Sequence, residues 1–252
     1  MAGNTSHPRA SVASRTLALL AAFDGTHRRL SLSEISRRAD IPVATTHRLV
    51  AELEGWGALS RQPSGHYVVG RRIWDLGLLA PVQTGLRDLA APFLHDLYAA
   101  TRATVHLAVR EDTAALYVDR LAGHYSVPVV SKVGSRLPLH ATGVGKVLLA
   151  HAPSSVQHHA LTHLDRITAR TVVHAGVLSA QLARTRRAGY ATTIEEMTLG
   201  ACSVAVPVWS RDTVVAALGV VVPNLKRDQL QLVTALKVAA QGISRTLDIV
   251  DA

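Results

Sequence analysis

Val43, Ala44, Thr45, His47 and Arg48 lie at the start of an apolar-periodic stretch. Small side chains at a helix N-terminus let the backbone approach base edges, and one guanidinium there reaches a guanine or a phosphate. That is DNA-reading chemistry. The other reactive residues read as structural. His151, His158, His159 and His163 cluster in sequence, but no cysteine or closely spaced carboxylate completes a tetrahedral metal set, so a solvated face is favoured over zinc. Cys202 sits beside an apolar run without basic sequence neighbours, which favours a buried structural thiol over a redox sensor. Glu195 and Glu196 are adjacent, so their side chains diverge in regular structure; loop anchoring or helix capping is expected rather than acid/base work. Gly143-Val144-Gly145-Lys146 lacks the spacing of a phosphate loop. No Ser or Cys stands in a recognisable nucleophile setting, so no catalytic residue, cofactor or metal is expected.

The elements that position the DNA-reading groups are legible. Leu30 to Val50 reads as two short amphipathic helices joined by a tight turn, the architecture of a helix-turn-helix. Ser31 and Glu34 form an S-x-x-E capping box. Leu32, Ile35 and Ala39 supply the apolar side, with Arg37 and Arg38 facing water. Asp40 tolerates the left-handed conformation of the turn, and Pro42 marks the start of the second helix. An ordinary helical hairpin is the alternative from these residues alone. The next segments favour a DNA reader. Ala58–Arg61 and His66–Val69 are β-prone runs separated by Gln62-Pro63-Ser64-Gly65, a hairpin with Arg61 and His66 at its base. A hairpin after a recognition helix is a wing, able to touch sugar-phosphate. Val12 to Phe23 supplies a supporting helix, with Leu17, Leu20 and Phe23 spaced to face a core.

Composition sets the limits. The chain has 252 residues, 48% of them hydrophobic, enough for two domains and too apolar for general disorder. Its net charge is +9, and residues 1–80 carry 10 Lys/Arg against 6 Asp/Glu. The remainder carries 17 against 12, so the first part is about twice as basic per residue, which fits a polyanionic partner. A single cysteine excludes a disulfide framework. Met1 to Ser11 is polar and no apolar run reaches membrane-spanning length, so no signal peptide is expected, and a cytoplasmic location without membrane contact is.

Beyond the wing, Arg71 to Ala80 reads as a short helix and Leu86 to Thr101 as a longer one. Strands are expected at Thr104–Arg110, Ala114–Leu121 and Ser126–Val133. A helix follows Leu137–Lys146 and ends near His151, and another spans Val177–Arg187 and closes at Gly189. Ser203–Val208 and Thr213–Val222 form a strand pair, and a last helix runs from about Asp228 to Val250. Clustered strands followed by interleaved helices predict an α+β domain built on one antiparallel sheet, large enough to enclose a small-molecule pocket.

In order and spacing, SRTLALLAAF, LSLSEISRRADIPVATTHRLVAELEGWG, YVVGRRIWDLG, RLPLHATGVGK and RRAGYATTIEEMTLGACSVAVPV resemble the IclR-type family of bacterial transcriptional regulators, from about Ser14 to Leu247. The resemblance implies a winged helix-turn-helix domain (residues 8–70), a linker helix (71–85) and a GAF-like effector-binding and oligomerisation domain (86–252). It places DNA contact on Val43, Ala44, Thr45, His47 and Arg48, with Arg61 in the wing, and turns Thr46 toward the core. It places the effector pocket on Thr142, Gly143, Val144 and Gly145 and on Thr193, Ser203, Gly219 and Val221. Where carboxylate-sensing relatives carry polar strand contacts, this chain has Gly219 and Val221. The implied ligand is therefore bulkier and less polar than glyoxylate or pyruvate, such as an aromatic or medium-chain acid.

The implied partners are double-stranded DNA bearing an inverted repeat, a small-molecule effector, and further copies of the chain in a dimer or tetramer. The implied function is a ligand-responsive regulator, a repressor of an adjacent catabolic operon, with an activator of the same type as the alternative. An enzyme with a fused winged domain and a winged domain used for protein contacts are the rivals from other classes.

Overall fold

The computed structural model describes residues 11–78, 84–123, 127, 129–225 and 228–250. The chain divides into two compact units, Met1–Val82 and Gln83–Ala252. Residues 8–10, Leu79 and the Pro81-to-Thr84 punctuation of the linker lie outside what is described, apart from the backbone of Thr84.

In the first unit, α1 (Val12–Ala21) starts where the Ser11 hydroxyl accepts from the Ser14 amide. The second helix, α2 (Leu32–Ala39), carries the expected capping box, with Ser31 and Glu34 each satisfying the other's backbone N–H. Asp40 caps it in the left-handed region at φ 53°. The recognition helix α3 (Val43–Trp56) follows Pro42 and ends on Gly57 at φ 85°. Strands β1 (Leu59–Arg61) and β2 (Tyr67–Val69) pair antiparallel, and Leu30 bridges to Tyr67, adding a third backbone segment to the wing. Gly70 is required by proximity, since a Cβ there would lie 2.2 Å from the Gly57 carbonyl oxygen. Helix α4 (Arg71–Leu78) is tied back by Arg72, whose guanidinium stacks 4.4 Å above the Trp56 ring.

The core of this unit is Leu19, Leu30, Ile35, Leu49, Val50, Leu53 and Leu59, with Leu20 and Phe23 packed against it. Leu17 does not join them; it is 65% exposed, because the inward stripe of α1 runs through Leu19 instead. Trp74 and Leu76 on α4 are also exposed, at 59% and 48%.

The second unit begins with α5 (Thr84–Thr101), then β3 (Thr104–Glu111), β4 (Ala114–Leu121), β5 (Arg136–Pro138) and α6 (Gly143–Ala150). Next come α7 (Ser154–Thr162), α8 (Ala175–Ala188), β6 (Ala191–Ile194), β7 (Cys202–Ser210), β8 (Thr213–Val222) and α9 (Gln229–Val250). One antiparallel sheet runs in the order β5-β4-β3-β8-β7-β6. Its two faces differ in side-chain size. Val105, Leu107, Val109, Val204, Val206, Val208, Leu218 and Val220 meet α5 and α9 in a thick aliphatic layer. The opposite face carries Ala108, Ala115, Ala205 and Ala217, so α6 can lie close to the strands. This is the α+β, GAF-like arrangement that the sequence implied.

One expected strand is corrected. Described residues between 126 and 133 form no strand, and the outer pairing partner of β4 is Arg136–Pro138. Gly134, at φ 84°, donates to the Tyr117 carbonyl, so the chain turns there and only the residues after it join the sheet. Val129, Val130 and Ser131 of that run line a cavity instead, where tertiary position overrides β-propensity.

Candidate functional site

The DNA-reading surface is built on the first two turns of α3. Val43, Ala44, His47 and Arg48 are exposed and Thr45 is half-buried, a spacing that puts them on one strip of the helix. Thr46 is fully buried, as expected from the sequence. Its hydroxyl donates to the Ile41 carbonyl at 3.2 Å, and the Ser36 hydroxyl donates to the same oxygen at 2.5 Å. Two buried hydroxyls therefore lock the inter-helix turn and fix the angle at which α3 is presented. Further along α3, Glu52 and Glu54 are exposed and would repel phosphate, so reading is confined to the N-terminal half. Arg61 is exposed on the wing, its guanidinium 5.9 Å from the Tyr67 ring centroid. Arg28 and Arg29, exposed just before Leu30, add positive charge beside Val68 and Val69. Sequence reasoning passed over them because the Leu30–Tyr67 bridge that brings them to the wing is a tertiary contact.

In the second unit, a small, partly open cavity of about 50 Å³ lies between the start of α6 and the small-residue face of the sheet. Thr142, Gly143, Val144, Thr193, Ser203, Gly219 and Val221 all line it. Gly145 does not; a Cβ there would meet the Thr142 hydroxyl at 2.4 Å and Leu139 backbone at 2.5 Å, so it is a packing glycine. Register explains the convergence, since Thr193 pairs with Ser203, Ser203 with Val221 and Val221 with Thr104. In the next row Ala205 pairs with Gly219 and Gly219 with His106. Gly219 is glycine because α6 approaches closely: a Cβ there would be 3.0 Å from Val144 Cγ1 and 3.1 Å from the Val204 carbonyl oxygen.

The polar fittings are few. Thr142 caps α6, its hydroxyl accepting from the Gly145 amide at 3.1 Å. The first amides of a helix have no partner within it, and those of Gly143 and Val144 belong to residues that line the cavity. Thr193 and Ser203 share a hydrogen bond of 2.6 Å between their hydroxyls. None of the described lining residues is Asp, Glu, Lys or Arg, so the cavity is formally uncharged.

His106, Ser131 and Tyr117 are among the lining residues not anticipated from sequence. His106 on β3 and Ser131 share a hydrogen bond of 2.8 Å, and the Tyr117 ring meets the imidazole edge-on at 5.0 Å. Burial, helped by the nearby Arg120 charge, pushes the His106 pKa down to about 3. Burial likewise pushes Tyr117 up to about 12, opposed by a hydrogen bond with Thr142. An unfolded histidine titrates near 6.5, so between about pH 6.5 and 3 the unfolded chain binds the extra proton. Stability contributed by neutral His106 is therefore complete above 6.5 and lost as pH falls toward 3. The melting temperature should fall from pH 7 to pH 5, and His106→Phe should flatten that dependence; an unchanged slope in the variant would contradict it.

Behind the cavity, Lys146 of α6 is 1% exposed and donates to Glu196 at 2.6 Å and to Gln181 at 2.8 Å. Burial lowers the Lys146 pKa, and Glu196 opposes that shift. Glu195, at φ 57°, accepts from the Gly200 amide at 2.7 Å and anchors the loop, as the sequence suggested for one of the two glutamates. Its neighbour Glu196 has a different task, as the buried counter-ion of Lys146.

The remaining reactive groups are dispersed. Cys202 is buried, and burial raises its thiol pKa. His159 and His163 stack at 4.2 Å while His151 packs against Trp209. Among the described residues no group of three or more His, Cys, Asp or Glu is placed to share a metal ion. No described helix is long and apolar enough to cross a membrane.

A winged helix-turn-helix on one compact unit and a largely apolar cavity on the other define a ligand-binding transcriptional regulator. Comparison with known proteins agrees. The IclR helix-turn-helix domain model matches residues 12–63, and the bacterial transcriptional regulator IclR C-terminal model matches residues 80–245. The chain belongs to the IclR family of bacterial transcriptional regulators. It is 32% identical over 250 residues to the probable transcriptional regulator SauR of Cupriavidus necator, covering 96% of this chain and 98% of that one. It is 30% identical over 210 residues to the transcriptional repressor AllR of Klebsiella pneumoniae, covering 82% and 77%. Among solved structures, an IclR homolog from Microbacterium hydrocarbonoxydans complexed with 4-hydroxybenzoate superposes with a TM-score of 0.90 at 34% identity, over 94% of this chain and 99% of that one. The matching relatives are transcriptional regulators rather than enzymes.

Proposed function

We propose that this regulator is a repressor of an adjacent catabolic operon, released by an aromatic carboxylic acid bound in the second unit. The uncharged, largely apolar cavity carries the ligand assignment. A dicarboxylate or small keto acid would set charged or polar groups against its Val, Leu and Met walls, which a benzene ring matches. The acid's carboxylate fits the Gly143 and Val144 amides and the Thr193–Ser203 hydroxyls, at the positive end of the α6 dipole. The 4-hydroxybenzoate held by the Microbacterium homolog supports an aromatic acid, and the repressor name of AllR supports the sign of regulation.

DNA contact is assigned to Val43, Ala44, Thr45, His47, Arg48 and Arg61. One recognition helix binds too weakly for genomic specificity, so we assign a homodimer, or a dimer of dimers, reading an inverted repeat with half-sites about one helical turn apart. The exposed Leu17, Trp74 and Leu76 supply apolar surface for that association. Residues 71–85 are the lever between the DNA-binding domain (8–70) and the effector domain (86–252), and the protein acts in the cytoplasm. A ligand changes DNA affinity only by preferring one arrangement of the heads over the other.

Calorimetric titration tests the ligand class. Benzoate and 4-hydroxybenzoate should bind, and Gly219→Val should weaken both by more than about tenfold, because the new side chain displaces Val144. Tight binding of glyoxylate with no binding of either aromatic acid would overturn the assignment.

A further inference from the structure

Few side chains hold helix α4 to the rest of the DNA-binding unit. Of residues 71–77, every one but Ile73 is exposed, and Ile73 packs against the core. Arg71 and Asp75 pair with each other along the helix at 3.6 Å. The second tie to the head is Arg72. Its guanidinium lies 4.4 Å from the Trp56 ring centroid, and Nη1 donates to the Trp56 carbonyl at 3.3 Å. Trp56 ends α3, so this cation also meets the negative end of that helix's dipole.

The position of the clasp matters as much as its chemistry. Trp56 lies eight residues beyond Arg48, about 12 Å along the axis, so the clasp grips α3 at the end away from its DNA-reading strip. Trp74 stands nearly opposite Arg72 round α4 and is exposed. One side of α4 therefore holds the recognition helix, and the other serves the association assigned above. Whatever angle α4 takes in a dimer is handed to α3 through Ile73 and the Arg72 clasp.

We propose that the Arg72–Trp56 clasp sets the half-site spacing that the protein reads, by fixing the linker helix to the far end of the recognition helix. This rests on the homodimer and inverted-repeat assignment above and deepens it. With the clasp closed, each head is rigid on its own α4, and two heads joined through α4 present their recognition strips at one separation. Half-sites moved apart can be followed only by heads that swing, which opens both clasps. An exposed cation–π contact is worth about two- to fivefold, so two of them resist a shifted operator by about 5- to 30-fold.

The test uses the full-length protein and three duplexes from the promoter region of the neighbouring operon: the operator, the operator with two base pairs inserted between its half-sites, and a single half-site. Fluorescence anisotropy gives the three affinities for wild type, Arg72→Ala, Trp56→Leu and Trp56→Tyr. The wild type should prefer the native operator to the lengthened one by about a hundredfold or more, since the insertion turns one half-site about 70° out of register. In Arg72→Ala and Trp56→Leu that preference should shrink by about 5- to 30-fold, with half-site affinity unchanged. Trp56→Tyr keeps an aromatic face and should keep the wild-type preference. Trp56→Leu removes no charge, so it separates the clasp from a direct contact of Arg72 with phosphate. An undiminished preference in either variant, or half-site affinity falling as far as operator affinity, would overturn the proposal while leaving the dimer assignment intact. A wild type that binds the half-site as tightly as the operator would overturn both.

Discussion

Replacing Arg48 with Ala is expected to abolish specific operator binding while the affinity for an aromatic acid stays at its wild-type value. Arg48 carries the only permanent charge on the exposed strip of α3, the rest being Val43, Ala44, Thr45 and His47. A guanidinium contact to a guanine or phosphate is worth about 1–3 kcal/mol. Two recognition helices in a dimer double that, giving a loss of about 30-fold to about 20,000-fold. The strip offers no substitute, because the next exposed charges on the helix are Glu52 and Glu54. Fluorescence anisotropy with the promoter region of the neighbouring operon measures the DNA side, and calorimetry the ligand side. Loss of both affinities would indicate unfolding; loss of neither would remove Arg48 from the interface.

The second large effect is on stability. Lys146→Met is expected to destabilise the effector domain by about 3–5 kcal/mol, because Glu196 would be left buried with an uncompensated charge. Among the described atoms Glu196 Oε2 is already buried without a hydrogen-bond partner, so little remains to take over from the ammonium group. The double variant Lys146→Met/Glu196→Gln should recover at least half of that loss, since it removes both charges together. Urea unfolding measures both. A single variant within about 1 kcal/mol of wild type, or a double variant no more stable than the single, would show that the pair is not the counter-ion couple described here. The pair also bears on the pocket. Lys146 lies one turn into the helix whose start lines the cavity, and Glu196 adjoins the lining residues Met197 and Thr198. Ligand affinity should therefore fall with stability.

Local patterns were the legible part of this chain. The capping box, the left-handed Asp40 and the Pro42 start are encoded within a few residues, and each lies where the sequence placed it. The pairing of β7 with β8 was legible because both runs are apolar and β-branched, with a turn between them. Across the long-range register, legibility failed. Nothing local to His106, Ser131 or Tyr117 shows that β3, β4 and a loop bring them to the pocket that Thr142 opens. Lys146 was read only as part of a failed phosphate loop, because its counter-ion is fifty residues away. Gly145 was assigned to the pocket with its neighbours, but the helix turns it toward Leu139 instead. The third strand was misplaced because Val129, Val130 and Val133 have high β-propensity, whereas Val129 and Val130 line the cavity from outside any strand. In the first unit, Leu17 fitted a helical period but lies off the inward stripe of α1.

The most direct measurement is the operator affinity of the full-length protein as 4-hydroxybenzoate is titrated in. A ligand-released repressor should bind the promoter of its neighbouring operon specifically, with an affinity that weakens steeply with salt. Saturating acid should lower that affinity by about 5- to 150-fold, the usual range for coupled sites. By linkage, operator DNA should lower the affinity for the acid by the same factor. Operator affinity indifferent to the acid at concentrations that fill the pocket would contradict the account.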